Sequence, residues 1–308
     1  MIRTLTIAAA LLATLASCDL PAPAPEPAVY EVVARVPTPG YAQDVFVRGD
    51  RAYIADGQAG LAVFDIADPL APVLLGSVMD SLNEAYGVVA DESLAFVAYG
   101  YKELLVARVG DPESLVVVSE LEYPQPGYGF AVASRDSFVY IAADAQFLVV
   151  ELADARYPNL AFQYRYPRGL RGICVQDTLC FLALEQLGVA IWNTATLPPV
   201  PLGSFDTPSN ARAVAASGNW LYVCDGRDGL RWADVTDPAN PALAAGRLEL
   251  PGYANRLTVD DTLLYVGCGD GGLAVVSIAE PGDPKLVATG DIPYARNAAG
   301  SGGFVFAA

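Results

Sequence analysis

The 308-residue chain contains no histidine, and its only lysines are Lys102 and Lys285. Without histidine the chain cannot form a Ser-His-Asp triad, a Cys-His pair or a histidine-ligated metal or haem centre. The two lysines are the sole candidates for an amine nucleophile. The 35 acidic residues outnumber the 18 basic ones and give a net charge of −17. This balance argues against a nucleic-acid-binding protein, which needs a basic surface.

The first 18 residues have the layout of a secretory signal. Arg3 precedes an apolar run of about a dozen residues, which is too short for a membrane span. The run ends in Leu-Ala-Ser-Cys at residues 15–18. This tetrapeptide resembles the lipobox of bacterial lipoproteins, which implies that residues 1–17 are removed as a signal peptide and that Cys18 is lipidated. The alternative is an ordinary signal peptide with an incidental cysteine.

A proline-rich tether follows the cysteine. Residues 18–28 alternate proline with small residues and favour an extended conformation that spaces a domain from the bilayer. We therefore predict an exported protein of the bacterial cell envelope, on the periplasmic face or the cell surface. Because the chain and the membrane are both anionic, the lipid alone has to hold the protein at the membrane.

The remaining residues, 29–308, repeat one pattern seven times. Each copy has a tight turn followed by a strand with an aromatic residue at a fixed place, and these anchors are 41 to 44 residues apart. The anchors are Tyr53, Phe96, Tyr140, Phe181, Tyr222, Tyr265 and Phe306. Four short strands in a repeat of this length are typical of a β-propeller blade.

The first copy shows the four strands, which we call a to d in chain order. Strands a, b and c are predicted at 44–47, 52–55 and 60–66, and strand d begins at residue 72. The two-residue turns between a and b consist largely of Gly, Asp and Asn, which tolerate a positive φ. The sequence thus predicts an all-β fold: one seven-bladed β-propeller of four-stranded antiparallel blades over residues 29–308.

The two ends of the chain share the predicted seventh blade. Residues 29–36 resemble a strand d without preceding strands, and residues from about 295 to 308 supply strands a and b of a seventh copy. We expect the N-terminal strand to close this last blade. Since strand c of that blade is missing, either the seventh blade has three strands or the chain is truncated.

The segments around strand c carry a family resemblance. Residues 60–72 read GLAVFDIADPLAP and residues 229–241 read GLRWADVTDPANP. Both are similar to the LVIVD repeat of bacterial and archaeal surface proteins. The resemblance extends over residues 29–308 and is strongest in copies one, five and six. It implies a propeller and a surface location, and it implies no catalytic residue.

The candidate binding site is the funnel mouth, where the connections from strand d to the next strand a converge with the first residues of strand a. Four arginines occupy two adjacent repeat positions there, all of them in copies four to seven, and aromatic residues and an asparagine occupy related positions. The predicted ligand-binding residues are Arg171, Arg212, Arg256, Arg296, Tyr41, Tyr86, Tyr128, Phe130 and Asn255. Clustered guanidinium groups in a concave mouth attract anions.

These residues have more than one interpretation. The arginines either bind an acidic small molecule, a saccharide or a carboxylate of a partner protein, or they bond carbonyl groups of neighbouring blades. A weaker alternative is a calcium site of the kind used by some propeller lactonases. Its candidate ligands are Asp44, Glu84, Asn210 and Asn297. The arginines between these residues would repel a cation.

The four other cysteines predict no redox chemistry, because they form no CxxC motif. Cys174 and Cys180 flank one turn and should point to opposite sheet faces. Cys224 and Cys268 should share the interface between blades five and six, where facing sheets are too far apart for most disulfides. Buried free thiols are the favoured interpretation.

The predicted function is a non-enzymatic lipoprotein that serves as a binding or interaction scaffold through the funnel mouth, without a cofactor. A calcium-dependent, lactonase-like hydrolase and a purely structural envelope protein are the alternatives. A scaffold should bind without turnover and ignore EDTA, whereas a calcium hydrolase should lose stability and activity together when calcium is removed.

Overall fold

The computed structural model of the chain describes residues 27–79, 83–101, 104–111, 114–121 and 128–308. Within these ranges the chain forms 27 β-strands and no helix. No helix of this part of the chain is therefore long and apolar enough to cross a membrane. The predicted signal peptide, Cys18 and most of the predicted tether lie outside the described residues.

Most strands belong to six four-stranded antiparallel blades, numbered 1 to 6. Blade 1 contains β2 (Asp44–Arg48), β3 (Arg51–Ala55), β4 (Leu61–Asp65) and β5 (Val73–Val78), after a short first strand β1 (Ala28–Tyr30). Blade 2 contains β6 (Ala85–Ala90), β7 (Leu94–Tyr99), β8 (Leu104–Arg108) and β9 (Val116–Leu121). Blade 3 contains β10 (Gly129–Arg135), β11 (Phe138–Ala143), β12 (Gln146–Glu151) and β13 (Asn159–Arg165).

The second half of the chain continues the same order. Blade 4 contains β14 (Gly172–Gln176), β15 (Leu179–Ala183), β16 (Val189–Asn193) and β17 (Val200–Phe205). Blade 5 contains β18 (Ala213–Ser217), β19 (Trp220–Cys224), β20 (Leu230–Asp234) and β21 (Ala242–Leu243). Blade 6 contains β22 (Arg256–Asp260), β23 (Leu263–Gly267), β24 (Leu273–Ser277) and β25 (Lys285–Gly290). The final strands are β26 (Ala298–Ser301) and β27 (Phe304–Ala307).

The predicted strand positions and turns agree with these sheets. Each aromatic anchor lies in the second strand of its sheet. Six of the seven turns between first and second strands begin with a residue of positive φ, and these residues are Gly49, Asp136, Asp177, Gly218, Asp261 and Gly302. Glycine and aspartate adopt this left-handed conformation at the lowest cost, which explains their recurrence at the turns.

The sheets form a ring around a central axis. The first strand of each sheet contacts the first strand of the next, in the order β2, β6, β10, β14, β18, β22 and β26, and β26 contacts β2 again. Within the described chain, seven hydrophobic clusters fill the junctions between neighbouring sheets. Fully buried side chains such as Phe181 dominate them, and each stabilises the ring by about 1.5–3 kcal/mol. The six four-stranded blades confirm the predicted propeller.

The N-terminal strand does not close the last sheet, and this part of the prediction is wrong. β1 pairs in parallel with β25 and becomes the fifth strand of the sheet of blade 6. The final sheet contains only β26 and β27. An apolar segment fits either sheet edge, and only the three residues of β1, Ala28–Tyr30, pair with β25, opposite Ala288–Gly290.

The cysteines behave as predicted where the structure describes them. Cys174, Cys180, Cys224 and Cys268 are free thiols. Val175 pairs with Cys180, and Cys174 packs against a different cluster from Cys180, so their side chains lie on opposite faces. Burial raises the pKa of the Cys174 thiol to about 12, which leaves it protonated and unreactive at neutral pH.

Candidate functional site

The mouth is held together by backbone bonds between successive blades. The loop after the second strand of one blade bonds a residue at or shortly before the start of the first strand of the next, as in Gly57 with Ala85 and Gly269 with Ala295. The bonded residue is a fully buried alanine at four of these junctions, so the side chain that follows is fixed at the rim. The residues placed in this way are Tyr86, Arg212, Asn255 and Arg296.

Asp44 is the central acceptor of the mouth. Its residue is only 6% exposed. Its carboxylate accepts the backbone N–H groups of Val45 at 3.0 Å and Val88 at 3.1 Å. The Arg256 guanidinium lies 3.2 Å from its Oδ2 atom, and the side-chain amide of Asn297 donates to its Oδ1 atom. A buried carboxylate needs this set of partners, because an unpaired charge is costly to bury.

Arg256 extends across the channel from blade 6. Besides Asp44, its Nη2 atom donates to the backbone carbonyls of Tyr86 at 3.0 Å and Phe130 at 2.6 Å. One side chain thus connects blade 6 to blades 1, 2 and 3. This arrangement favours the interpretation in which Arg256 bonds backbone carbonyl groups of other blades. Its carbonyl partners lie across the channel, however, and not in the adjacent blade.

Glu185 pairs with two of the other predicted arginines. Its Oε1 atom lies 2.6 Å from Arg171 Nε and 3.2 Å from Arg212 Nη1. Glu185 also has a positive φ of 50°, a conformation that is uncommon for residues other than glycine, asparagine and aspartate. Glu185 was not among the predicted site residues. The sequence holds a signal for Glu185, because it departs from the glycine found at the equivalent position in four of the other blades: Gly57, Gly100, Gly226 and Gly269.

Aromatic side chains of blades 2 and 3 form one cluster at the mouth. Tyr86 contacts Phe130 and Tyr128, with ring centroids 5.5 Å and 6.4 Å away. The guanidinium carbon of Arg171 lies 4.1 Å from the centroid of the Phe130 ring, a cation–π contact that joins the two groups. Burial and a hydrogen bond to Glu84 raise the pKa of Tyr86 to about 12, so its hydroxyl stays protonated and donates.

Two predicted residues form no side-chain hydrogen bond or ring contact with this cluster in the described part of the chain. Tyr41 is 62% exposed at the rim of blade 1. Asn255 donates its backbone N–H to the Gly267 carbonyl, and no hydrogen bond of its side chain is found in the described part of the chain. The structure therefore brings together Arg171, Arg212, Arg256, Tyr86, Tyr128 and Phe130.

Arg296 is the exception among the four arginines. It is half-buried, and among the described residues its guanidinium has neither an ion pair nor a hydrogen bond. Burial lowers its pKa, and the positive charges of Arg256 and Arg212 lower it further, while Tyr294 and the Asp44 carboxylate oppose this shift. The same guanidinium lies close enough to lower the pKa of Tyr86. Arg296 is therefore a cation without a direct ion pair in the described residues, close to the other arginines and to Tyr86.

Two buried side-chain oxygen atoms, at neighbouring positions of the repeat, also lack a hydrogen-bond donor among the described residues. Gln43 is 8% exposed and Asn297 is 4% exposed. Gln43 Oε1 and Asn297 Oδ1 have no hydrogen-bond partner in the described residues. Buried acceptors without partners are rare in folded proteins, and they indicate positions where a donor from water or from a ligand completes the site.

The donor set does not favour the calcium alternative. No group of three or more acidic or cysteine side chains with the arrangement of a metal site occurs in the described ranges. Asp44 already accepts from Arg256, and Asn297 turns its amide nitrogen, not its oxygen, toward that carboxylate. Glu84 accepts hydrogen bonds from Tyr86 and Gln58. A cation at Asp44 would face a guanidinium at 3.2 Å.

The chain contains recognisable repeats of one family. Three segments match the LVIVD repeat. They cover residues 39–80, 208–246 and 251–291, which correspond to copies one, five and six. These are the copies in which strand c carries the resemblance most clearly. The match supports the repeat assignment over these three segments.

Solved structures support the fold alone. A protein from Lactobacillus plantarum superimposes with a TM-score of 0.71 at 17% identity, over 83% of this chain and 86% of its own. The periplasmic gluconolactonase of Pseudomonas aeruginosa gives a TM-score of 0.67 at 16% identity, over 80% of this chain and 83% of its own. No curated protein sequence gives a significant match.

Proposed function

We propose that the protein is a non-enzymatic lipoprotein of the bacterial cell envelope that binds an anionic ligand at the funnel mouth and so acts as a recognition scaffold. The observation that carries this proposal is the Arg296 guanidinium, which has no direct ion pair or hydrogen bond in the described part of the chain. Glu185 pairs with Arg171 and Arg212, and Asp44 pairs with Arg256. A ligand carboxylate would supply the counter-charge that Arg296 lacks, and its hydrogen bonds would be charge-assisted.

The surroundings of Arg296 favour an acidic saccharide or a carboxylate-bearing peptide. The half-buried rings of Tyr86 and Phe130 offer apolar faces next to the cation, and such faces pack against sugar rings and peptide planes. Anions reach the site despite the overall negative charge, because a concave mouth lined by guanidinium groups focuses the local potential.

The remaining parts of the proposal concern the ends of the chain. We propose that Cys18 carries the lipid that anchors the propeller, on the basis of the lipobox resemblance at residues 15–18. We also propose that β26 and β27 are the inner half of a seventh blade, because β26 takes the place of a first strand between β22 and β2.

A thermal-shift experiment tests the anion site. Succinate, D-glucuronate and a peptide ending in glutamate would be added to the purified protein, with glucose as a neutral control. A ligand that binds only the native state at a hundred times its Kd raises stability by about 2.7 kcal/mol. We expect at least one carboxylate to raise the Tm, and Arg296→Gln to abolish the rise.

Arg48→Gln is the matched control, because Arg48 lies in an exposed pair with Glu92 away from the mouth. It should leave the rise in Tm unchanged. A Tm unaffected by every anion would contradict the proposal and favour the purely structural alternative. Stabilisation by calcium alone, reversed by EDTA, would instead favour the hydrolase alternative.

A further inference from the structure

Glu84 is a carboxylate at the mouth without an ion pair in the described part of the chain. Two other carboxylates of the mouth, Asp44 and Glu185, pair with arginines. Glu84 accepts hydrogen bonds from the Tyr86 hydroxyl at 2.6 Å and from the Gln58 side-chain amide at 3.3 Å. Because an ionised carboxylate has about four acceptor positions, Glu84 can accept further hydrogen bonds.

Tyrosine rings lie beside this carboxylate. The Tyr128 ring stands at 84° to the Tyr86 ring, with centroids 6.4 Å apart, and the Tyr101 ring lies 4.2 Å from that of Tyr128. A hydrogen bond with Tyr101 is the main cause of the raised pKa of Tyr128, and the charge of Glu84 raises it further. The rings therefore stay neutral, and Tyr101 is 54% exposed, so the group opens to solvent. Neutral aromatic rings attract a cation through their π faces.

Arg296 brings the opposite charge to the same tyrosine. Its guanidinium lowers the pKa of Tyr86, whereas Glu84 raises it. Arg296 and Glu84 form no ion pair with each other, and neither is ion-paired elsewhere within the described ranges. A ligand with a carboxylate alone would satisfy Arg296 and leave Glu84 without a counter-charge. A ligand that carries both charges would supply a charge-assisted partner to each of the two side chains.

We propose that the mouth binds a zwitterion, a small molecule with a carboxylate for Arg296 and a primary ammonium for Glu84, as in an amino acid. This inference rests on the proposed anion site and narrows its ligand from carboxylates in general to amino carboxylates. The ammonium donates to the open acceptor positions of Glu84 and lies against the rings of Tyr86 and Tyr128.

Isothermal titration calorimetry on the purified protein tests this proposal with pairs of ligands of equal size. Each pair compares an amino carboxylate with the carboxylate in which a methyl group replaces the ammonium. The pairs are glycine with propanoate, 3-aminopropanoate with butanoate, 4-aminobutanoate with pentanoate, and 6-aminohexanoate with heptanoate. At the length that matches the separation of the two side chains, we expect the amino carboxylate to bind about fivefold to tenfold more tightly.

Glu84→Gln removes the charge but keeps an oxygen that accepts from Tyr86. It should weaken binding of the preferred amino carboxylate by about fivefold to tenfold and leave the methyl counterpart unchanged, which also shows that the variant is folded. Glu92→Gln is the matched control, because this 88% exposed side chain lies in the turn at the other end of blade 2. It should change neither affinity. Arg296→Gln should weaken both members of the pair.

Three results would overturn the inference, and they separate it from the proposed function. Amino carboxylates that bind no more tightly than their methyl counterparts at every length would refute the zwitterion and leave the anion site standing. An equal loss of affinity for both members of a pair in Glu84→Gln would assign only a structural role to Glu84. Absence of binding by every carboxylate would contradict the inference and the proposed function together.

Discussion

Arg256 is the side chain on which the centre of the ring depends most, and Arg256→Met tests this role. The substitution keeps an unbranched apolar side chain but removes the cation beside Asp44. It also removes the donor to two backbone carbonyls. The side chain of Arg256 is 16% exposed and that of Asp44 is 8% exposed, so solvent replaces little of what is lost.

The expected magnitude follows from the cost of leaving a buried charge without its partner. Removing one member of a buried ion pair costs about 3–5 kcal/mol. The lower half of this range applies here, because Asp44 keeps the N–H groups of Val45 and Val88 and the amide of Asn297. We expect Arg256→Met to lower the free energy of unfolding by about 3–4 kcal/mol. In a chain of this length this corresponds to a fall in Tm of roughly 5 to 6 °C.

Urea unfolding followed by tryptophan fluorescence measures this effect, and two variants serve as controls. Arg48→Met removes an exposed arginine whose pair with Glu92 is 3.7 Å long, and it should change stability by at most about 0.5 kcal/mol. Asp44→Asn in the Arg256→Met background removes the unpaired charge and should restore about half of the loss. A loss below about 1 kcal/mol for Arg256→Met would refute the reasoning.

Three further predictions concern the mouth, a buried carboxyl and the anchor. Glu185→Gln removes the negative charge shared by Arg171 and Arg212, and it should tighten carboxylate binding by about threefold to tenfold in calorimetric titrations; weaker binding would contradict this. Burial raises the pKa of Asp225 above 3.8, so its stabilisation is complete below the unfolded-state pKa and is lost as the pH rises through the native value. The stability of the protein relative to Asp225→Asn should therefore fall as the pH rises above about 3.8, and a rise would contradict a raised pKa of this carboxyl. Cys18→Ser should abolish incorporation of labelled palmitate in cells, and unchanged labelling would rule out this cysteine as the lipidation site.

The repeat could be predicted because its signals are local. An aromatic residue in each second strand and a left-handed residue in each tight turn recur at one spacing, and they require no knowledge of the partner strand. The pairing partner of β1, in contrast, could not be predicted from local signals. Residues 29–36 favour a strand, of which the structure forms only Ala28–Tyr30. Pairing with β25 or with β27 depends on which edge lies nearer in the folded ring.

The site could be predicted only in part for the same reason. The repeat alignment placed four arginines and several aromatic residues at one mouth, and the structure joins most of them. The counter-charges were not predictable, because Arg256 reaches Asp44 and two carbonyls across the channel. Glu185 could have been noticed as a departure from glycine at a left-handed position. Its two partners, however, depend on the spacing between blades 4 and 5.

The most direct test of the anion site is isothermal titration calorimetry with D-glucuronate and succinate on three proteins: the unaltered chain, Arg296→Gln and Arg48→Gln. Loss of a charge-assisted hydrogen bond to a carboxylate weakens binding by about tenfold to a hundredfold. The account predicts one binding site for at least one of the two ligands, a Kd weakened by at least about tenfold in Arg296→Gln, and an unchanged Kd in Arg48→Gln. Equal affinity of all three proteins, or no heat of binding with either ligand, would contradict it.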